Sequence, residues 1–153
     1  MAGSSEGTDP SVRVGATAKS RSTIYARSHR VDVGDAVSFD EKHDRITALE
    51  LTLGALGADL ASGLLAAAAR RRISTERVEA LVRGRLKNPL VHLGVVGEEG
   101  HAGLEQITIK LFVSTLGEGD DLSDAWTETL ERSPLYQTLR RAVQVDLQIA
   151  MTS

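Results

Sequence analysis

The chain contains no cysteine, and that absence removes disulfides, thiolate metal ligands, cysteine nucleophiles and thiol peroxide chemistry together. Aromatic residues are also scarce, at 3%, so the core has to be aliphatic. There is no excess of positive charge: 18 Lys and Arg are dispersed among 21 Asp and Glu, and the net charge is -3. No nucleic-acid partner is expected from such a surface. The histidines His29, His43, His92 and His101 show no paired ligand spacing, so neither a metal nor another cofactor is expected. The opening MAGSSEGTDP lacks a positive segment followed by an apolar one. A secretory signal is therefore not expected, and a cytoplasmic location is.

What is present is one dominant apolar stretch, Ile46 to Arg72. Its Ala and Leu content favours a helix, and apolar or small residues cover nearly the whole circumference, which predicts burial on most sides, in a core or against a second chain. Gly54, Gly57, Ala61 and Gly63 permit close approach of a neighbouring backbone. Between Leu49 and Ala69 the only charges are Glu50 and Asp59. A membrane span is the competing reading. Asp59 in the middle, and an apolar run that reaches about 20 residues only by including it, argue against it, and no membrane partner is expected.

At 153 residues the chain has the size of one domain, assigned to 11–153, after a flexible tail at 1–10 with almost nothing to bury. Weak alternation over 11–18 and 21–28, then HRVDV and AVSF within 29–39, predicts two or three short strands. The Arg70-Arg71-Arg72 run complements the C-terminal dipole of the long helix as a solvated cap, with an anion or partner contact as the second reading. Strand periodicity returns in 76–86, and 91–103 is a Gly-rich loop. In 104–115, Ile107, Ile109, Leu111 and Val113 alternate with polar residues. A second helix, capped by Asp121 or Ser123, runs through DAWTETLERS, and Pro134 starts a further helical turn. The chain ends on a strand with Val143, Val145, Leu147 and Ile149 on one face. The order of strands, long helix, strands, helix and strand predicts an α+β domain whose antiparallel sheets wrap two central helices.

Three local patterns accompany that order. ALELTLGALGAD supplies Leu49, Glu50 and Leu51, then Gly57-Ala58 and Asp59; the helix closes on Arg70-Arg71-Arg72-Ile73; and Ser133-Pro134-Leu135-Tyr136 is followed by Thr138-Leu139. Together they resemble the OsmC-like family, which includes the organic hydroperoxide resistance proteins. The resemblance covers roughly residues 20 to 150. It implies a cysteine at position 59 and a second one at position 133, where this chain carries Asp59 and Ser133. It implies a family glutamate at Glu50, and an arginine for which Arg27 and Arg30 lie in roughly the right strand region. It also implies an intertwined homodimer with a pocket built by both chains. Enzymatic members look like thiol peroxidases. A carboxylate and a hydroxyl cannot cycle through sulfenic acid and disulfide, so that chemistry is excluded here by composition.

The ligand-pocket candidates are accordingly Arg27, Glu50, Asp59, Ser133 and Tyr136, and the expected occupant is a small, partly apolar molecule. Each has a plainer reading. Asp59 fits an acid paired with an arginine or a serine hydroxyl; Glu50 fits an interface ion pair; Ser133 before Pro134 fits a helix cap; Tyr136 fits a core residue. Nine residues separate Glu50 from Asp59, which is two and a half helical turns, so a straight helix points them to opposite sides. Two other functions stay open: a hydrolase or isomerase using Glu50 and Asp59 as acid and base, and a purely structural or partner-binding dimer.

Overall fold

The computed structural model describes residues 9–18, 21–42, 44–116 and 121–152, in two compact units, 1–52 and 53–153. Most of the expected tail, and His43, lie outside the described residues.

The first unit is a meander of β1 (Arg13–Thr17), β2 (Arg21–Ala26) and β3 (His29–Val33), antiparallel, with β2 in the centre. The two-residue turn Arg27-Ser28 suits the pairing of β2 with β3. Arg27 stands at the β2–β3 tip with φ 54°, a left-handed conformation that costs a non-glycine residue about 1–2 kcal/mol. The AVSF segment expected as a strand is not one. The carbonyls of Asp35 and Ala36 instead accept from Ala48 N–H and Leu49 N–H, both at 3.1 Å, and so close the start of the long helix α1 (Ala48–Arg70). Thr47 completes that start: its buried Oγ1 accepts from Glu50 N–H at 3.1 Å, the first half of a Thr-x-x-Glu capping box. Val33 is the only large apolar side chain buried among the described residues of this unit, while Val12, Val14, Val31, Phe39 and Ile46 are exposed.

The second unit holds the core. Its sheet has the order β4 (Thr75–Leu86), β5 (Leu104–Thr115), β6 (Gln144–Thr152), and the alternation read from the sequence places Ile107, Ile109, Leu111 and Val113 of β5 fully inside. Leu56, Leu60, Leu64, Ala67 and Ala68 of α1 belong to the same cluster, with Leu122 and Ala125 at the head of α3 (Ser123–Arg132). Gly57 lets α1 lie close to β4, because a Cβ there would stand 2.9 Å from Val82 Cγ2. A short α2 (Pro89–His92), capped by Asn88 Oδ1 from Leu90 N–H, opens the loop 91–103 that the sequence marked as irregular.

One expectation is corrected. The sheets are not all antiparallel: β5 and β6 run parallel, because the chain between them passes through α3 and α4 (Pro134–Leu139) and returns to the same end, the crossover that parallel pairing requires. Within one chain α1 is buried on one side. Its face carrying Leu56, Leu60 and Leu64 is inside, and the opposite face, with Ala55, Ala58, Ser62, Leu65, Ala66 and Ala69, is exposed. α1 is long and apolar enough to cross a membrane, and its side carrying Leu56, Leu60 and Leu64 is packed into the core of this unit.

The end of α1 differs from a solvated cap as well. Ile73 N–H bonds Ala68 O and Arg72 N–H bonds Ala69 O, a Schellman closure in which Arg72 takes the left-handed position, φ 58°, that glycine usually fills. Arg70 and Arg71 turn to Glu128 of α3, which also binds Arg132. Glu128 is only 14% exposed, and the hydrogen bonds from Arg71 first, then Arg70, hold its carboxyl below the ordinary value of 4.5. Arg70 and Arg71 thus anchor α1 to α3. The N-cap of α3 is Leu122, and Asp121 just ahead of it accepts from Ser123 N–H at 2.8 Å.

Candidate functional site

Pro134 begins α4 with its φ already suited to the first helical position, and Ser133 stands ahead of it as the N-cap. Ser133 Oγ accepts from Tyr136 N–H at 3.0 Å and donates to Asp59 Oδ2 at 2.6 Å. Leu135 N–H, another of the amides that a helix start leaves unpaired, donates to the same Asp59 oxygen at 3.3 Å. Asp59 projects from the middle of α1, so a carboxylate and a hydroxyl 74 residues apart in sequence join α1 to the start of α4. Ser133 is buried at 3% exposure and Asp59 is half-buried.

This arrangement fixes what the two groups can do. The hydroxyl is engaged both as donor and as acceptor, with no histidine bonded to it among the described residues, so it stands as a cap and not as a nucleophile. The Asp59 carboxylate has its Oδ2 saturated by two donors. The plainer readings of both residues, an acid paired with a serine hydroxyl and a cap before proline, are the observed geometry. Tyr136 packs against the core cluster and has the Arg140 guanidinium 5.8 Å from its ring centre.

The other two candidates belong to the first unit. Glu50, exposed in the first turn of α1, lines a hollow of about 300 Å³ with Ser38, Phe39, Asp40, Glu41 and Arg45. Arg27 is not among its lining residues; it occupies the hairpin tip. The arginine beside Glu50 is Arg45, whose Nη1 lies 3.9 Å from Asp32 Oδ1. Sequence reading missed Arg45, although its place five residues ahead of Glu50, just before the helix, was the available signal. It missed Thr47 for want of testing the Thr-x-x-Glu spacing, and Glu128 for want of any periodic signature in surface charge.

Among solved structures, an OsmC-like protein from Mycoplasma pneumoniae superposes with a TM-score of 0.77 at 15% identity, covering 95% of this chain and 98% of that one. An organic hydroperoxide resistance protein from Elizabethkingia anophelis gives 0.67 at 14% identity, covering 95% and 99%. The organic hydroperoxide resistance protein OhrB of Bacillus subtilis gives 0.57 at 17%, covering 92% and 98%. At such identities the likeness is one of fold. No curated protein sequence matches significantly. The family model described as OsmC-like protein matches residues 41–148, a span containing α1, both halves of the Asp59–Ser133 pair and the whole three-stranded sheet of the second unit except the end of β6, and the chain therefore belongs to the OsmC-like family.

Proposed function

We propose that the chain is a homodimeric OsmC-like protein without thiol peroxidase activity that binds a small, partly apolar ligand in a pocket between its subunits. The observation that carries this reading is the Asp59–Ser133 hydrogen bond. The two positions at which the family resemblance implies cysteines are adjacent, at 2.6 Å between their oxygens, and neither group can be oxidised to a sulfenic acid or close a disulfide. The geometry of the pair is kept and its redox chemistry is gone. The dimer is supported by what one chain leaves uncovered: the outer face of α1 from Ala55 to Ala69, and the valines, Phe39 and Ile46 of a first unit that buries almost nothing of its own. A second copy covering those faces would give α1 the all-round burial its composition calls for.

Sedimentation equilibrium at micromolar concentration is the test. A species of about 33 kDa, twice the chain mass of 16.4 kDa, is expected, as an obligate dimer would give. A folded monomer under those conditions would remove the inter-subunit pocket from the account.

A further inference from the structure

We infer that the hollow between the end of α1 and α3 binds a phosphate monoester that carries an ammonium group, with Arg70, Arg71 and Arg132 on the phosphate and Asp124 and Glu131 on the amine. The inference goes beyond the proposed function and needs no pocket between subunits.

The hollow has a volume of about 690 Å³ and is lined by three arginines, Arg70, Arg71 and Arg132, and three acids, Asp124, Glu128 and Glu131. The six charges are ordered. The acids are spaced four and three residues apart on α3, so they share one face of that helix, and the outer two stand about 6 Å and about 4.5 Å along its axis from Glu128. All three arginines converge on that middle acid. Arg70 Nε and Nη2 donate to Glu128 Oε1 at 3.1 and 2.6 Å, Arg132 Nη1 lies 3.0 Å from the same oxygen, and Arg71 Nη1 donates to Oε2. Three positive charges thus meet one negative charge at the centre, and an exposed carboxylate flanks it on either side.

Glu128, whose side chain is 14% exposed, forms the floor, and the more open guanidiniums stand around it. Three guanidiniums bring about fifteen N–H donors, whereas one carboxylate offers about four acceptor sites. Glu128 therefore orients the arginines without exhausting them, which leaves donors for a second oxyanion. The carbonyls at the end of α1, which would repel an anion, are engaged: Ala68 O and Ala69 O accept from backbone N–H groups, and Ala67 O from Arg71 Nη1 at 3.2 Å. A phosphate monoester carries about two negative charges at pH 7 and three acceptor oxygens, which matches the positive excess of the centre. Bare phosphate meets repulsion from Asp124 and Glu131, and an ammonium group two carbons from the ester oxygen turns that repulsion into attraction.

Calorimetric titration of the full chain at pH 7 and fixed ionic strength tests this with O-phosphoethanolamine, inorganic phosphate, ethanolamine, and glycerophosphoethanolamine, the singly charged diester of a lipid head group. O-Phosphoethanolamine is expected to bind about tenfold tighter than phosphate and about threefold or more tighter than the diester, with no detectable binding of ethanolamine. Glu131→Gln is expected to bring O-phosphoethanolamine and phosphate within about threefold of each other, and Arg132→Gln to weaken both by about tenfold. Both side chains are exposed, and circular dichroism checks that the variants fold. If either fails to fold, the ranking on the unmodified protein decides alone. Phosphate, ethanolamine or the diester binding as tightly as O-phosphoethanolamine would overturn the inference, and so would the absence of binding by any of the four.

Discussion

Replacing Ser133 with alanine tests the geometry of the site through stability. The hydroxyl makes two bonds: it caps α4 through Tyr136 N–H and it donates to the Asp59 carboxylate. Loss of a serine N-cap costs about 1 kcal/mol. A hydrogen bond to a charged group is worth about 1.5–3 kcal/mol, and the low end applies because Asp59 is half-exposed and water replaces part of the lost contact. The Leu135 amide continues to hold Oδ2, which limits the damage further. Together these give about 2 kcal/mol, or roughly 4–8 °C in Tm for a chain of this size. Urea unfolding at one fixed protein concentration measures it, with the midpoint lowered and the slope unchanged. A double-mutant cycle with Asp59→Ala isolates the shared bond, for which a coupling of about 1 kcal/mol is expected. A loss under about 0.5 kcal/mol with no coupling would mean that the pair is a surface contact without structural weight, and the reasoning built on it would be wrong.

Other perturbations have equally definite signs. Gly57→Ala places a methyl 2.9 Å from Val82 Cγ2. It is expected to destabilise by about 1–2 kcal/mol in the same assay, despite a helix-propensity gain of about 1 kcal/mol, and a net gain would contradict the close α1–β4 approach. Arg72→Gly relieves a left-handed arginine at the C-terminus of α1 and is expected to stabilise by about 1 kcal/mol; a loss would show that Arg72 makes a compensating contact. Because the folded-state pKa of Glu128 is depressed by Arg71 and Arg70, its contribution is complete above the ordinary value of 4.5 and is lost as pH falls through the lower folded value. Urea midpoints measured downward from pH 6 are therefore expected to fall more steeply for the unmodified protein than for Glu128→Gln, and parallel curves would refute the linkage.

Much of the second unit was legible in the sequence because its burial is periodic. Ile107, Ile109, Leu111 and Val113 on β5 announce both the element and the face it buries, whereas the Ala and Leu content of α1 announces the helix but no face, because apolar or small residues run nearly all round it. What periodicity cannot carry is direction or partner. Nothing in the alternation of Val145, Leu147 and Ile149 says that β6 pairs parallel with β5. The AVSF segment was misread because alternation was counted there without asking where the amides of Ala48 and Leu49 would find acceptors. At the site, a serine hydroxyl was among the partners foreseen for Asp59, and Ser133 before Pro134 was foreseen as a cap. That one serine fills both roles depends on α4 reaching α1, a contact across 74 residues that no local pattern encodes. The family resemblance offered Arg27, with Arg30 near it, as the pocket arginine; Arg27 stands at the β2–β3 tip, and the hollow within the chain that contains Glu50 is lined by Arg45.

The most direct test of the central claim, a family fold whose thiol chemistry has been replaced by an inert hydrogen-bonded pair, is consumption of an organic hydroperoxide by the purified protein with a dithiol reductant in excess. The account predicts a rate indistinguishable from the protein-free blank. Catalytic turnover, with many equivalents of hydroperoxide reduced per chain, would show that this scaffold breaks the peroxide bond without sulfur of its own and would contradict it.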